Sequence, residues 1–236
     1  MNTLLHLASN KKSIESLQFI LNFILEKRGA YLKLLKKKNI YGETFFQLAC
    51  NNGCVETVET IIKHRISLVP NYDPLLDHDN NLNTSLLSSI IREQRKSVFL
   101  LLNHGANANA ENQNKQNGLH LSCSIGSYEI TELLLRHGCN YKYLDKTNMN
   151  PLDYACVNGN VEIVKLLLQL EDARLFVNSS CLQYAIENNH PCVVDILLKS
   201  KYWNMLMKCD ESSLIPKLIQ NMVIKELYTS QKVTLN

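Results

Sequence analysis

The feature that most constrains this chain is a pattern that returns six times. The segments TLLHLA at 3–8, TFFQLA at 44–49, TSLLSS at 84–89, NGLHLS at 117–122, NPLDYA at 150–155 and SCLQYA at 180–185 share a polar first residue, an apolar third and a small sixth. Seventeen and eighteen residues after each start comes an apolar pair: Ile20/Leu21, Ile61/Ile62, Leu101/Leu102, Leu134/Leu135, Leu167/Leu168 and Leu197/Leu198. The starts lie 41, 40, 33, 33 and 30 residues apart, so the unit has 33 residues, with long insertions at 22–39 and 65–79 and one shortening. Self-similarity at a fixed period means that each unit buries its apolar face against its neighbours.

The local chemistry predicts what the unit is. Thr44, Thr84 and Ser180 can N-cap a first helix with their hydroxyls and Asn150 with its amide oxygen, while Pro151 sits where its missing N–H costs nothing. Gly53, Gly126 and Gly159 stand nine residues after the start, where a chain reversing between antiparallel helices uses positive φ. Gly105 and Gly138 close second helices, and His64, His104 and His137 occupy the place just before that closure, where a cation meets the helix's negative end. Each unit therefore reads as helix, turn, helix, hairpin. Lys12, Glu93 and Asn189 replace the first glycine in three copies, and Arg65, Glu171 and Lys201 replace the second, so these copies are expected to be less regular. In the second insertion, RISLVPNYDPLLDHD, Pro70 and Pro74 preclude a continuous helix, and a loop is expected. The first insertion, NFILEKRGAYLKLLKKKN, is expected to lengthen the preceding helix.

Together these motifs resemble the ankyrin repeat, whose pattern carries TPLHxA opening the first helix, glycine ending it, and a leucine-rich second helix. GLHLSCSIGSYEITELLLRHGCN at 118–140, PLDYACVNGNVEIVKLLLQL at 151–170 and LLLNHGANANA at 100–110 carry it best, and the likeness runs over roughly 2–200. The resemblance implies an all-α ankyrin-repeat solenoid of about six helix-turn-helix repeats with hairpin tips over 1–211. Residues 212–236 are expected to form a C-terminal capping helix and tail, because 214, 215, 218, 219, 222, 223 and 227 are apolar at helical spacing. It further implies a non-catalytic scaffold or adaptor that binds a partner protein through a concave surface. Two alternatives stand beside it: a ubiquitin-ligase substrate adaptor, on the faint likeness of Ile215-Pro216 and Met222-Val223 to an F-box-like tail, and the regulatory region of a longer enzyme or channel. Asn109 resembles the hairpin asparagine that cellular hydroxylases modify in many such repeats.

Composition narrows the remaining classes. With 236 residues, 45% of them apolar and 20% charged, the chain can build a core. A net charge of +3 is too near balance for the whole protein to bind nucleic acid electrostatically, and no nucleic-acid partner is expected. The longest apolar stretch, Leu17 to Leu25, is about half a membrane span, and residues 1–10 carry no secretory pattern. The expected location is thus intracellular and cytoplasmic, with the nucleus as the alternative, and the eight cysteines should be reduced. The 27 asparagines, alongside many Lys and Ile, fit AT-rich coding and point to a parasite, virus or intracellular bacterium, which would make the protein an effector acting on host proteins.

No catalytic, cofactor-binding or metal-binding residue is expected. His6 and His120 fall at the TPLH histidine, His190 follows the first turn, and only His78 lies outside the pattern. Cys50, Cys123 and Cys156 fall where the repeat uses a small residue, and Cys50/Cys54 lacks the second ligand pair of a zinc site. There is no phosphate loop, dinucleotide fingerprint or HExxH. The basic run Lys27, Arg28, Lys33, Lys36, Lys37, Lys38 reads either as an anionic-surface patch or as a solvated helix end. Partner-binding residues are expected among aromatics at inter-repeat positions that ankyrin repeats keep polar or small: Tyr141, Tyr143, Phe176 and Trp203, with Lys142 adding charge and Tyr72 in the second insertion. The protein is expected to act as a monomer without small-molecule substrate.

Overall fold

The computed structural model describes residues 2–10, 14–26, 33–68, 73–202 and 206, and not the side chains of Asn10, Leu25 and 64–68. The expected capping helix at 212–236 lies outside the described residues, as do Lys12, Lys27, Arg28, Tyr72 and Trp203. The chain forms two compact units, one running to Gly118 and including Leu133–Cys139, the other made of Leu119–Glu132 and the residues from Asn140 on.

The first unit holds three helix pairs: α1 (Leu4–Asn10) with α2 (Ile14–Glu26), α3 (Phe45–Asn51) with α4 (Val55–Leu68), and α5 (Ser85–Ile91) with α6 (Arg95–Asn103). First helices stack on first helices, α1 on α3 on α5, and second helices on second helices, α2 on α4 on α6. α7 (Gly118–Ile125) and α8 (Tyr128–Arg136) form the fourth pair, the last turn of α8 belonging to the first unit. In the second unit α9 (Pro151–Val157) pairs with α10 (Val161–Leu168) and α11 (Ser179–Glu187) with α12 (Pro191–Lys199), again stacked first on first and second on second. Six pairs thus follow the six sequence copies, and the fold is all-α. Among the described residues the one β-bridge joins His78 and Thr84.

Caps set the helix starts. The Thr44 side chain accepts from the Gln47 N–H while the Gln47 side chain reaches back to the Thr44 N–H, and Asn150 and Asp153 repeat this reciprocal arrangement with Pro151 at the first helical position. Thr84 caps α5. Ser180 does not cap α11: the cap is Asn178, whose side-chain oxygen accepts from the Cys181 N–H, and Ser180 lies inside the first turn. The shortened linker explains the shift, because a 3-10 turn at Ala173–Leu175 replaces the hairpin there and delivers the chain to the helix two residues early.

Four first-helix ends, those of α3, α5, α9 and α11, share one backbone geometry. After α3, the N–H of Gly53 bonds Cys50 C=O and that of Cys54 bonds Ala49 C=O, which satisfies two orphan carbonyls through a left-handed residue, Gly53 at φ 64. Glu93 and Asn189, expected to mark less regular copies, make the same turn at φ 53 and φ 59, with the same pair of bonds. Burial of the stack holds them in a conformation that side-chain-bearing residues rarely adopt.

The core is drawn from the apolar pairs. Leu101, Leu134, Leu167 and Leu197 are fully buried and Leu168 nearly so, whereas Leu135, expected in the core, is only half-buried. Its counterparts at the same register position, Leu102, Leu168 and Leu198, are buried, so the difference belongs to this repeat's surroundings and not to the pattern. The second insertion enters as helix, since α4 continues to Leu68. No helix among the described residues is long and apolar enough to cross a membrane.

Candidate functional site

Four hairpins are built on one device that lies outside the six-residue pattern of the repeat. Asn39, Asp79, Asn112 and Asp145 each stand five residues before the start of the next repeat, and each side-chain oxygen accepts the backbone N–H groups two and four residues on. The residue three after each of them adopts positive φ: Gly42, Leu82, Lys115 and Asn148. This fixes the two intervening residues at the tip. Three tips carry polar pairs, Asn80-Asn81, Gln113-Asn114 and Lys146-Thr147, but the first carries Ile40-Tyr41.

Ile40 and Tyr41 are 71% and 67% exposed. They border an open hollow of ≈ 730 Å³ in the first unit, lined also by Asn52, Asn80, Asn81 and Arg92. Side-chain amides and a guanidinium offer donors and acceptors, and the two exposed side chains offer apolar area. Aligning the tips by their Asn or Asp shows this pair from sequence alone, since Ile-Tyr stands where the other tips are polar.

The residues expected at a partner surface divide by environment. Phe176 is 5% exposed, and its carbonyl accepts from the Asn150 side chain at 3.0 Å. Tyr141 is half-buried, its ring edge-on to Phe176 at 5.2 Å. Lys142 donates to Asp172 at 2.7 Å and lies 5.5 Å from the Tyr141 ring. That hydrogen bond raises the lysine pKa and lowers that of Asp172. Tyr143 is 37% exposed. In the second unit, then, the tyrosines of this segment divide, Tyr141 facing its own linker and Tyr143 facing outward.

The histidines with TPLH spacing link repeats. The Thr3 N–H donates to His6 Nδ1, so Nε2 carries the proton and donates to Glu43 C=O at 3.0 Å. Gln47 donates likewise to Asn83 C=O, and His120 Nε2 to Met149 C=O. His190 Nε2 bonds Val157 C=O and the Asn160 side chain bonds Cys123 C=O, so in the second unit the residue after the turn satisfies a carbonyl of the preceding first helix. Asp153, at the same position as His120, accepts from the Asn150 N–H, and the link to the next repeat is made by the Asn150 side chain, which donates to Phe176 C=O.

Asp153 is buried, and its Oδ1 accepts the Cys181 thiol. Burial pushes its carboxyl up to about 6 against the backbone N–H of Asn150 and the thiol, which both favour the anion. The Cys181 thiol is raised by its hydrogen bond with Cys156 and by burial, and burial also raises Cys50. Protonated interior thiols are poor nucleophiles. Among the described residues seven cysteines are unbridged, with Cys192 alone exposed, and no three His, Cys, Asp or Glu residues group as a metal site.

A family model for ankyrin repeats in three copies matches residues 5–112 and 89–178. No curated protein matches the chain.

Proposed function

Since the chain belongs to the ankyrin-repeat family, whose repeats mediate protein–protein interaction, we propose that it is a non-catalytic scaffold or adaptor that binds a partner protein through the hairpin tips and first helices of its units. The observation that carries this reading is the Ile40-Tyr41 tip. Two large apolar side chains held about two-thirds exposed on a rigid turn gain burial chiefly when a partner arrives, and the adjoining amides and Arg92 supply hydrogen bonds. In the second unit the proposed contacts are Lys142 and Tyr143, three and two residues before the Asp145 that anchors its tip, with Tyr141 beside Phe176.

The test is comparative affinity purification from the native cell, with quantitative mass spectrometry. Bait carrying Ile40→Ser with Tyr41→Ser, and bait carrying Lys142→Ala with Tyr143→Ala, should keep the helical spectrum and melting point of the parent. At least one should lose a partner that the parent recovers. Equal recovery of every partner by both baits would move the contact off the tips.

A further inference from the structure

The first repeat carries a second surface of different character. α1 packs on α3 and α2 on α4, and Leu5, Leu17 and Leu21 are buried, yet Leu4 and Phe19 are each 74% exposed and Leu7 is 45% exposed. Leu4, Phe19, Ile20, Ile24 and Leu34 line a hollow of ≈ 400 Å³. It is separate from the tips that carry the proposed function.

Charge selects the occupant. Among the described residues up to 40, Lys33, Lys36, Lys37 and Lys38 stand against Glu15 and Glu26, a local excess of two positive charges. Lys33, Lys36 and Lys37 are exposed in the turn that supplies Leu34 to the hollow, while Glu15 and Glu26 stand at the two ends of α2. A second copy docked face to face would set this excess against itself. The chain's own apolar segment 212–228 carries Lys217 and Lys225 against Glu226 and lacks the complementary sign. Anionic lipid would match the charge, but Leu4 and Phe19 line a hollow of ≈ 400 Å³, which the ridge of a helix fills and a bilayer surface leaves open.

We propose that this hollow on the first repeat binds the apolar ridge of an amphipathic helix from another protein whose flanks are acidic. Leucine or phenylalanine at every third and fourth position would fill the hollow, and flanking carboxylates would meet Lys33, Lys36 and Lys37.

The experiment uses the full chain and a fluorescein-labelled peptide of about 18 residues, five helical turns, with Leu and Phe along one stripe and Glu on both flanks. Fluorescence anisotropy should give a Kd tighter than about 100 µM, weakening at least about tenfold when the peptide's Glu are replaced by Lys. The Leu4→Ser, Phe19→Ser double variant should lose at least about tenfold while its melting point stays near the parent's, both residues being exposed. Equal binding of both peptides, or full binding by the variant, would overturn the proposal. So would concentration-dependent dimerisation in sedimentation velocity that the variant abolishes, which would make the occupant a second copy. Flotation with phosphatidylserine vesicles, lost in the variant, would make it a membrane.

Discussion

The Cys181 thiol donates to Asp153 Oδ1 at 3.2 Å, joining α11 to α9 with a carboxyl group that burial holds largely out of water. Its pKa, raised from 3.8 to about 6, has a direct consequence for stability. Between those values the folded chain binds a proton that the unfolded chain does not. Asp153 therefore contributes stability that is fully present below about 4 and lost as the pH rises through about 6, on the order of 2–3 kcal/mol for a shift of about two units. Denaturant midpoints of the parent should rise relative to Asp153→Asn between pH 7.5 and 4.5. Parallel pH profiles for the two proteins would refute this role.

Leu167 and Leu135 separate the core from its edge. Leu167→Ala should cost about 2–5 kcal/mol, the range for deleting a fully buried leucine, and Leu135→Ala clearly less, because that side chain is already partly in water. Urea unfolding compares them, and a loss under about 0.5 kcal/mol at Leu167 would place it outside the core.

Glu93 holds the turn that glycine holds in three other repeats. Glu93→Gly relieves a left-handed conformation costing about 1–2 kcal/mol and returns part of that as unfolded-chain entropy, so a net gain of about 0.5–1 kcal/mol is expected. A lowered melting temperature would show that the carboxylate, not the backbone, matters there.

Asn178 and Ser180 test the helix start. Asn178→Ala removes the bond to the Cys181 N–H and should cost about 1 kcal/mol, while Ser180→Ala should be nearly neutral. The reverse order in chemical denaturation would restore Ser180 as the cap.

Tyr141 and Tyr143 should behave differently when cut to alanine. The edge-on contact with Phe176 gives Tyr141 about 0.5–1.5 kcal/mol beyond its area burial, so Tyr141→Ala should lower the melting point more than Tyr143→Ala does. Equal losses in calorimetry would put both rings in the packing.

The number of helix pairs, their order and most of their limits were legible in the chain, because caps, turns and apolar pairs are short-range chemistry repeated in register. Thr44, Thr84, Asn150 and Pro151 carry it in their own side chains, and so do Asn39, Asp79, Asn112 and Asp145, although their message appears only when the tips are aligned. Tertiary structure decided what depends on neighbours distant in sequence. Glu93 takes a glycine's conformation because the stack around it leaves no other path. Asn178 replaces Ser180 because a shortened linker brings it to the helix start. Tyr141 turns inward because Phe176, 35 residues away in the chain, lies under its ring. Propensity is a property of a residue, but exposure is a property of what the fold places beside it, and for that reason the surface of these repeats had to be seen while their scaffold could be read.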